Sequence, residues 1–173
     1  MKPILLFFLT FLFLNVFSQE KKQEVSIATS TFDNFKLRYK FGNEKRLFRV
    51  TASYLTFQHE KRNIPDYDSN KLGVELAAGM EFPKHLNDKL DFICGFDLGG
   101  AYNKIINVEN VNYTVRGSGI LGLSYSINEV LKFGVEIDPG IYYSLDKEGD
   151  SSKDRFGISL SNSFAEINLG FVF

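Results

Sequence analysis

The stretch Ala165-Glu166-Ile167-Asn168-Leu169-Gly170-Phe171-Val172-Phe173 decides the fold of this chain. Successive side chains of a β-strand point to opposite faces, so the odd-numbered residues form an apolar face and the even-numbered residues Glu166, Asn168 and Gly170 form a polar one. In a soluble sheet the apolar face would be the core. A strand that ends on Phe173 with no polar residue after it fits an apolar face in contact with lipid.

The composition sets limits on the class of protein. A length of 173 residues allows one domain. The counts of 18 Phe, 8 Tyr and 14 Gly, against 4 Pro and no Trp, favour strands and turns. With 20 Lys+Arg against 21 Asp+Glu, the chain has no excess of positive charge that would favour nucleic acid as a partner.

Residues 1–18 predict a secretory signal peptide. Lys2 is the charged start, Ile4 to Phe17 is the apolar run, and Ser18 supplies a small residue for cleavage before Gln19. A retained membrane anchor is the alternative, but the run is shorter than the roughly 20 residues that a spanning helix needs. Residues 19–173 would then form one domain, in which the single cysteine Cys94 excludes an internal disulfide.

Alternation of apolar and polar residues recurs along residues 19–173 and predicts the strands. Clear segments begin at Phe35, Phe48, Leu72, Leu90, Tyr113 and Leu131. The links between them alternate between short ones, at 42–46, 83–89 and 128–129, and long ones, at 59–70, 103–111 and 146–154. Outer-membrane barrels have short periplasmic turns and longer outer loops, so this alternation predicts an orientation with both chain ends in the periplasm.

The last strand needs an irregularity to fit this scheme. Phe156, Ile158 and Leu160 have even parity, whereas the apolar residues after 164 have odd parity. A β-bulge at Ser161–Ser163 would reverse the parity and make 155–173 one strand; a hairpin at Ser161–Ser163 is the alternative. The bulge leaves seven strands from Phe35 onward, so Glu24–Thr31 is predicted as the eighth, with residues 32–34 as a tight outer turn.

The charges indicate that the apolar face lies outside. Lys or Arg facing lipid near the midplane would cost roughly 2–4 kcal/mol each. The polar face carries nearly equal numbers of opposite charges: Lys36, Arg38, Lys40, Arg49, Arg116 and Lys132 against Glu75, Glu81, Asp91, Asp97, Glu136, Asp138 and Glu166. An eight-stranded barrel is just wide enough for side chains to fill. We therefore predict a charge network that plugs the lumen, with these members near mid-depth: Arg38, Arg116, Glu75, Asp97, Asp138 and Glu166.

Aromatic residues are predicted to gather at both ends of the strands, as belts at the two membrane interfaces. The inner set is Phe41, Phe48, Phe82, Phe92, Phe133 and Phe173, and the outer set is Tyr54, Tyr102, Tyr113, Tyr143 and Phe156. The alternative is that aromatic residues simply favour strand ends.

Three segments carry a family resemblance: Phe17-Ser18-Gln19, Leu37-Arg38-Tyr39-Lys40-Phe41-Gly42 and Phe171-Val172-Phe173. They resemble small outer-membrane β-barrel proteins of the porin-like or OmpA-type barrel families of Bacteroidota. The resemblance implies insertion by the barrel-assembly machinery, with Phe171 and Phe173 as the assembly signal.

The sequence predicts no catalytic, cofactor or metal site. The segments 66–70 and 146–150 begin like an EF-hand loop, but Lys71 and Ser151 stand where that loop needs Gly. His59 and His85 are predicted at opposite ends of the barrel, and Cys94 has lipid-facing parity, which argues against a reactive thiol.

We therefore predict an all-β protein, a closed antiparallel up-and-down transmembrane β-barrel of eight strands in the outer membrane. The expected function is structural or interaction, with no enzymatic activity: a monomer with a plugged lumen that displays the links 59–70, 103–111 and 146–154. A narrow channel or small-ligand transport barrel is the first alternative. A soluble lipocalin-like carrier is the second.

Overall fold

The computed structural model describes residues 22–31, 34–61, 68–105, 110–149, 151–159 and 165–173. Ten strands occur in these residues: β1 (Lys22–Thr31), β2 (Asn34–Asn43), β3 (Arg46–Lys61), β4 (Asp68–Asn87), β5 (Leu90–Ile105), β6 (Asn110–Ser126), β7 (Leu131–Ile137), β8 (Gly140–Glu148), β9 (Ser151–Ser159) and β10 (Glu166–Val172). Among the described residues, no helix is long and apolar enough to cross a membrane.

The ten strands form eight spanning strands. β7 and β8 both pair with β6 in one continuous register, with Ile137 opposite Leu121 and Gly140 opposite Ser118. They are interrupted only at Asp138-Pro139, where proline has no N–H to donate to the sheet. β9 and β10 run alongside β8 and β7 in the same way. Sequential pairing from β1 onward, together with the pairing of β1 with β10, closes the sheet and confirms the predicted barrel of eight antiparallel strands.

The register on either side of residues 160–164 shows the predicted reversal of parity. Ser159 pairs with Gly140, whereas Glu166 pairs with Glu136. Between these two pairs the last strand advances by seven residues and the neighbouring strand by only four. The three extra residues are an odd number, which is why Ile158 and Ile167 both face outward. The predicted bulge at Ser161–Ser163 lies outside the described residues. The alternative hairpin is excluded, because β9 and β10 run in the same direction.

The first and last strands close the barrel. β1 was predicted from Glu24, and it begins two residues earlier, at Lys22. It pairs with β10 from Glu24 opposite Val172 to Thr29 opposite Ile167. Beyond that register, the backbone N–H of Phe173 donates to the carbonyl of Gln23 at 2.9 Å. In the predicted turn 32–34, residues 32–33 lie outside the description and Asn34 already belongs to β2.

The predicted links were too long. β5 extends to Ile105 and β6 begins at Asn110, which shortens the link predicted at 103–111. In the link predicted at 146–154, Asp146 pairs with Lys153 across a hairpin. β3 and β4 likewise extend into 59–70, to Lys61 and from Asp68, and β4 continues through 83–87. Polar residues at these strand ends indicate solvent around the strands, but cross-strand pairing continues there.

Three short turns share one construction. Asn43, Asn87 and Asn128 each accept two backbone N–H hydrogen bonds through the side-chain oxygen, from the residues two and three positions later, at 2.7–3.0 Å. Asparagine favours such turns because its side chain reproduces the geometry of a backbone acceptor. All three lie at the end of the barrel that also holds Lys22 and Phe173, as the predicted orientation requires.

We predict that Asn87→Ala lowers the free energy of unfolding by about 1 kcal/mol, because two turn hydrogen bonds lose their acceptor. Asn87→Asp keeps an acceptor oxygen and should remain close to the wild type. Urea unfolding of the refolded barrel measures both variants. Equal stability of Asn87→Ala and the wild type would contradict the structural role of this side chain.

Burial follows the reverse of the pattern of a soluble protein. Arg38 is 0% exposed and Glu136 1% exposed, whereas Leu37 is 56% exposed and Val135 39% exposed. The fully buried apolar residues in the described part of the chain are only Ala28, Leu47, Ile93 and Ile120. The predicted sense of the alternation is therefore confirmed, since charged side chains fill the interior and apolar ones cover the exterior.

Candidate functional site

Glu136 on β7 is the centre of a buried charge network in the lumen. Its Oε2 lies 2.9 Å from Arg38 Nη1 and 3.0 Å from Arg49 Nη1. Its Oε1 accepts a hydrogen bond from Asn168 Nδ2 at 2.8 Å and lies 3.8 Å from Lys40 Nζ. One carboxylate thus contacts three cations.

A second group of carboxylates completes the inner part of the network. Glu81 lies 3.0 Å from Lys40 Nζ and 2.8 Å from Arg49 Nη1. Lys40 also lies 3.3 Å from Glu24, while Asp97 lies 2.8 Å from Arg49 Nη2. Every one of these side chains is buried.

The outer part of the network is formed around Glu166. Its carboxylate pairs with both Lys36 and Arg38. Asp138 is 3.8 Å from each of the same two cations and therefore adds a weaker interaction. The network thus extends along β2, on which Lys36, Arg38 and Lys40 are successive inward residues.

Like charges stand opposite each other in the sheet, and the opposite charge bridges each such pair. Lys40 is registered with Arg49 on β3, and Glu81 and Glu136 contact both cations. Glu136 is registered with Glu166 on β10, and Arg38 contacts both carboxylates. Like charges directly across a strand pair are destabilising on their own. The pair of cations and the pair of carboxylates therefore stabilise each other.

Small inward residues make room for the long side chains. Ser26 and Ala28 on β1 lie opposite Arg38 and Lys36. Gly122 on β6 lies opposite Glu136, and a Cβ at this glycine would stand 2.7 Å from Glu136 Cγ. The close approach of Glu136 therefore requires glycine at 122.

The structure brings four of the six predicted network residues together: Arg38, Asp97, Asp138 and Glu166. Arg116 instead donates to the backbone oxygen of Asp138 at 2.8 Å. Glu75 has no ion pair with the side chains that the structure describes. Arg116 and Glu75 both line a small cavity above the network.

Sequence reasoning placed Glu136, Arg49, Lys40 and Glu81 on the inward face but outside the mid-depth network. Alternation along a strand indicates the face of each residue but not its depth, because tilted strands bring together residues at different distances from their ends. The available signal was the inward run of Lys36, Arg38 and Lys40 on one strand, which requires several carboxylates nearby.

A cavity of about 20 Å³ remains above the network, enough for one or two water molecules. Several buried polar atoms beside it have no hydrogen-bond partner: Thr51 Oγ1, Asp97 Oδ1, Asp138 Oδ1 and the Nε atoms of Arg38, Arg49 and Arg116. Lys36, Ser53, Glu75 and Ser118 also line it. Among the described side chains, this polar cavity thus lies directly beside the buried ion pairs.

Polar contacts also occur at both rims. At the outer end, Asp146 accepts hydrogen bonds from Asn112 and Arg155. The hydrogen bond from Asn112 is the main cause that lowers the pKa of Asp146 below its usual value. The charge of the Arg155 guanidinium lowers this pKa further. At the inner end His85 and Lys132 both contact Asp91.

No group of three or more His, Cys, Asp or Glu side chains in the described parts of the chain could hold a metal ion. Of the segments that begin like EF-hand loops, Asp66, Tyr67 and Asp150 lie outside the description. The side chain of His59 is also outside it, and His85 is at the inner rim.

Comparison with known proteins gives two structural similarities. Neisserial surface protein A (NspA) is 12% identical, with 88% of this chain and 94% of that chain covered and a TM-score of 0.47. Ail, the attachment invasion locus protein of Yersinia pestis, is 14% identical, with 90% and 99% covered and a TM-score of 0.40. No protein-family model matches the sequence, and no curated protein matches it. The fold and the site themselves define a closed eight-stranded antiparallel barrel with a charged interior.

We predict that Glu136→Gln lowers the free energy of unfolding by about 3–5 kcal/mol, because it leaves three buried cations short of one negative charge. Glu75→Gln is the matched control, an inward carboxylate beside the cavity, and should change stability much less. Urea titration of the folded barrel in detergent compares the two. Equal losses would mean that Glu136 is not the centre of the network.

Proposed function

We propose that this chain is a monomeric outer-membrane β-barrel protein of structural or interaction type, with a plugged lumen and hairpins exposed on the outer side. The observation that carries the proposal is the inverted burial of the barrel. Charged side chains fill the interior, while exposed large apolar residues recur on β1, β2, β5, β6, β7 and β10. Water would not favour such an exterior, whereas lipid would.

The aromatic residues support a membrane position. On β5 the outward positions run from Phe92 to Tyr102, ten residues later. At about 3.4 Å per residue and a tilt of about 40°, this distance corresponds to a height of about 25 Å, the usual apolar band of such barrels. Phe41 stacks with Tyr39 and Phe48 at the inner level, at centroid distances of 5.7 and 5.6 Å. Tyr102 and Tyr113 pack at 5.4 Å at the outer level.

The charged lumen supports a barrel without a pore. Arg38, Arg49 and Glu136 are each at most 1% exposed and contact one another across the interior. The cavity of about 20 Å³ above them has room for one or two water molecules. The proposal accordingly includes neither conduction nor enzymatic activity.

The last strand supports assembly from the periplasmic side. Phe171 and Phe173 are exposed on the strand that closes the barrel against β1. We propose that they form the signal for the barrel-assembly machinery after removal of residues 1–18, as the resemblance to small outer-membrane barrels of Bacteroidota implies.

We predict that the mature protein is found in outer-membrane fractions and that its gel mobility changes on heating, because a closed barrel resists unfolding by detergent at room temperature. Fractionation followed by electrophoresis of heated and unheated samples measures both properties. Recovery in the soluble periplasmic fraction would favour the carrier alternative instead.

We predict that the wild-type barrel gives no conductance steps in planar bilayers at high salt. The double variant Arg49→Ala/Glu136→Ala removes two central side chains of opposite charge and should produce steps while the barrel remains closed. Heat-modifiable mobility of the variant is the control for folding. Steps from the wild type would favour the narrow-channel alternative.

A further inference from the structure

The first hairpin is lower than the rest of the barrel wall. β2 pairs with β3 only as far as Lys36 opposite Ser53, and β3 continues eight residues further, to Lys61. Along that extension the described pairing of β3 is with β4 alone. Eight residues of a tilted strand rise by roughly 20 Å. The barrel wall is therefore lower beside this outer part of β3.

The other side of this low segment is bordered by β9. All nine residues of β9 pair with β8, and the described residues provide no partner for its second edge. The pairing of β1 with β10 ends at Thr29 opposite Ile167, below β9. Among the described residues, a gap above the β1–β2 hairpin thus separates β3 from β9. We call it the notch, and at three interstrand spacings it is roughly 14 Å wide.

The notch lies at the level of the apolar band. A full crossing takes ten residues on β5, from Phe92 to Tyr102, whereas β2 ends at Asn34, seven residues from Phe41. Phe156 and Ile158 of β9 border the notch and are 72% and 75% exposed, the highest values among the large apolar residues described. The notch therefore opens toward lipid chains.

The polar cavity adjoins the lower edge of the notch. Lys36 and Ser53, which line the cavity, are the last registered pair of β2 and β3 below the gap. The cavity also presents Arg116 and Glu75, and Thr51 Oγ1 and Asp138 Oδ1 are buried there without a partner. Both signs of charge thus stand beside an apolar opening.

We propose that the notch binds a zwitterionic phospholipid of the surrounding membrane, with its headgroup at the mouth of the cavity and an acyl chain against Phe156 and Ile158. A wholly apolar ligand would leave the unpartnered polar atoms unsatisfied, and a small polar ligand would leave the two apolar residues uncovered. A zwitterionic headgroup matches a mouth that presents both cations and carboxylates. The inference depends on the membrane position proposed above.

Tryptophan fluorescence tests the inference without background, because the chain has no Trp. Three single variants are reconstituted in vesicles of acyl-brominated phosphatidylcholine. Ser53→Trp lies inside beside the notch, Ser118→Trp lies inside on the far wall, and Leu98→Trp lies outside, where the native residue is 66% exposed. We expect strong quenching of L98W, comparable quenching of S53W and little quenching of S118W.

The variants separate the two proposals. Absence of quenching in L98W would overturn the membrane position itself. If L98W is quenched but S53W is quenched no more than S118W, the membrane position stands and the proposal of lipid binding in the notch is overturned. Ser159→Trp, at the lower end of β9, replaces S53W as the reporter if S53W does not give a heat-modifiable barrel.

A second lipid probe tests the headgroup position. Phosphatidylcholine with a nitroxide on the choline should quench S53W. It should not quench Ser124→Trp, an inward position at the periplasmic end of the barrel. Quenching of S53W by brominated chains but not by the nitroxide would overturn the assignment of the headgroup to the cavity mouth.

Discussion

The ion pairs around Glu136 are the interaction on which the barrel interior depends. Arg38, Arg49 and Lys40 are removed from water, and an unpaired charge in such a place is strongly destabilising. Each cation contacts at least two carboxylates, so the interior is stable only as a set. In a soluble protein apolar packing would do this work, but here the apolar side chains face outward.

Closure of the sheet and assembly of the network require each other. Glu166 faces Arg38 only because three extra residues between Ser159 and Glu166 reverse the parity of the last strand. Without that odd offset, and with β9 in its present register, Ile167 would point into the lumen and Glu166 would face the exterior. The pairing of β1 with β10 then brings β2, with its three cations, within reach of Glu136 and Glu166.

The sequence predicted the faces of the strands well and their depths poorly. Period-two alternation determines which side chains point inward, so the barrel class, the first strand and the inward charges were accessible. Depth depends on strand tilt and on register between distant strands, which no local pattern encodes. For this reason Arg116 and Glu75 were placed in the network, while Glu136 was not given its central position. Link lengths were overestimated at 103–111 and 146–154. Polar residues indicate contact with solvent, but they do not exclude cross-strand pairing.

A buried charge network and the proposed notch in the side wall are compatible in one barrel. The network places the buried side chains of Arg38, Arg49 and Glu136 together across the interior at one level of the barrel. Above it, the last registered pair of β2 and β3 lines the polar cavity, so in the proposed membrane position the notch would make this cavity accessible from the side of the barrel. The second edge of β9 has no partner among the described residues. In the proposed membrane position its backbone groups would need partners, because hydrocarbon supplies none. A lipid headgroup, with the water that it carries, satisfies such groups at that depth, and this links the low wall to an amphiphile and not to an apolar ligand.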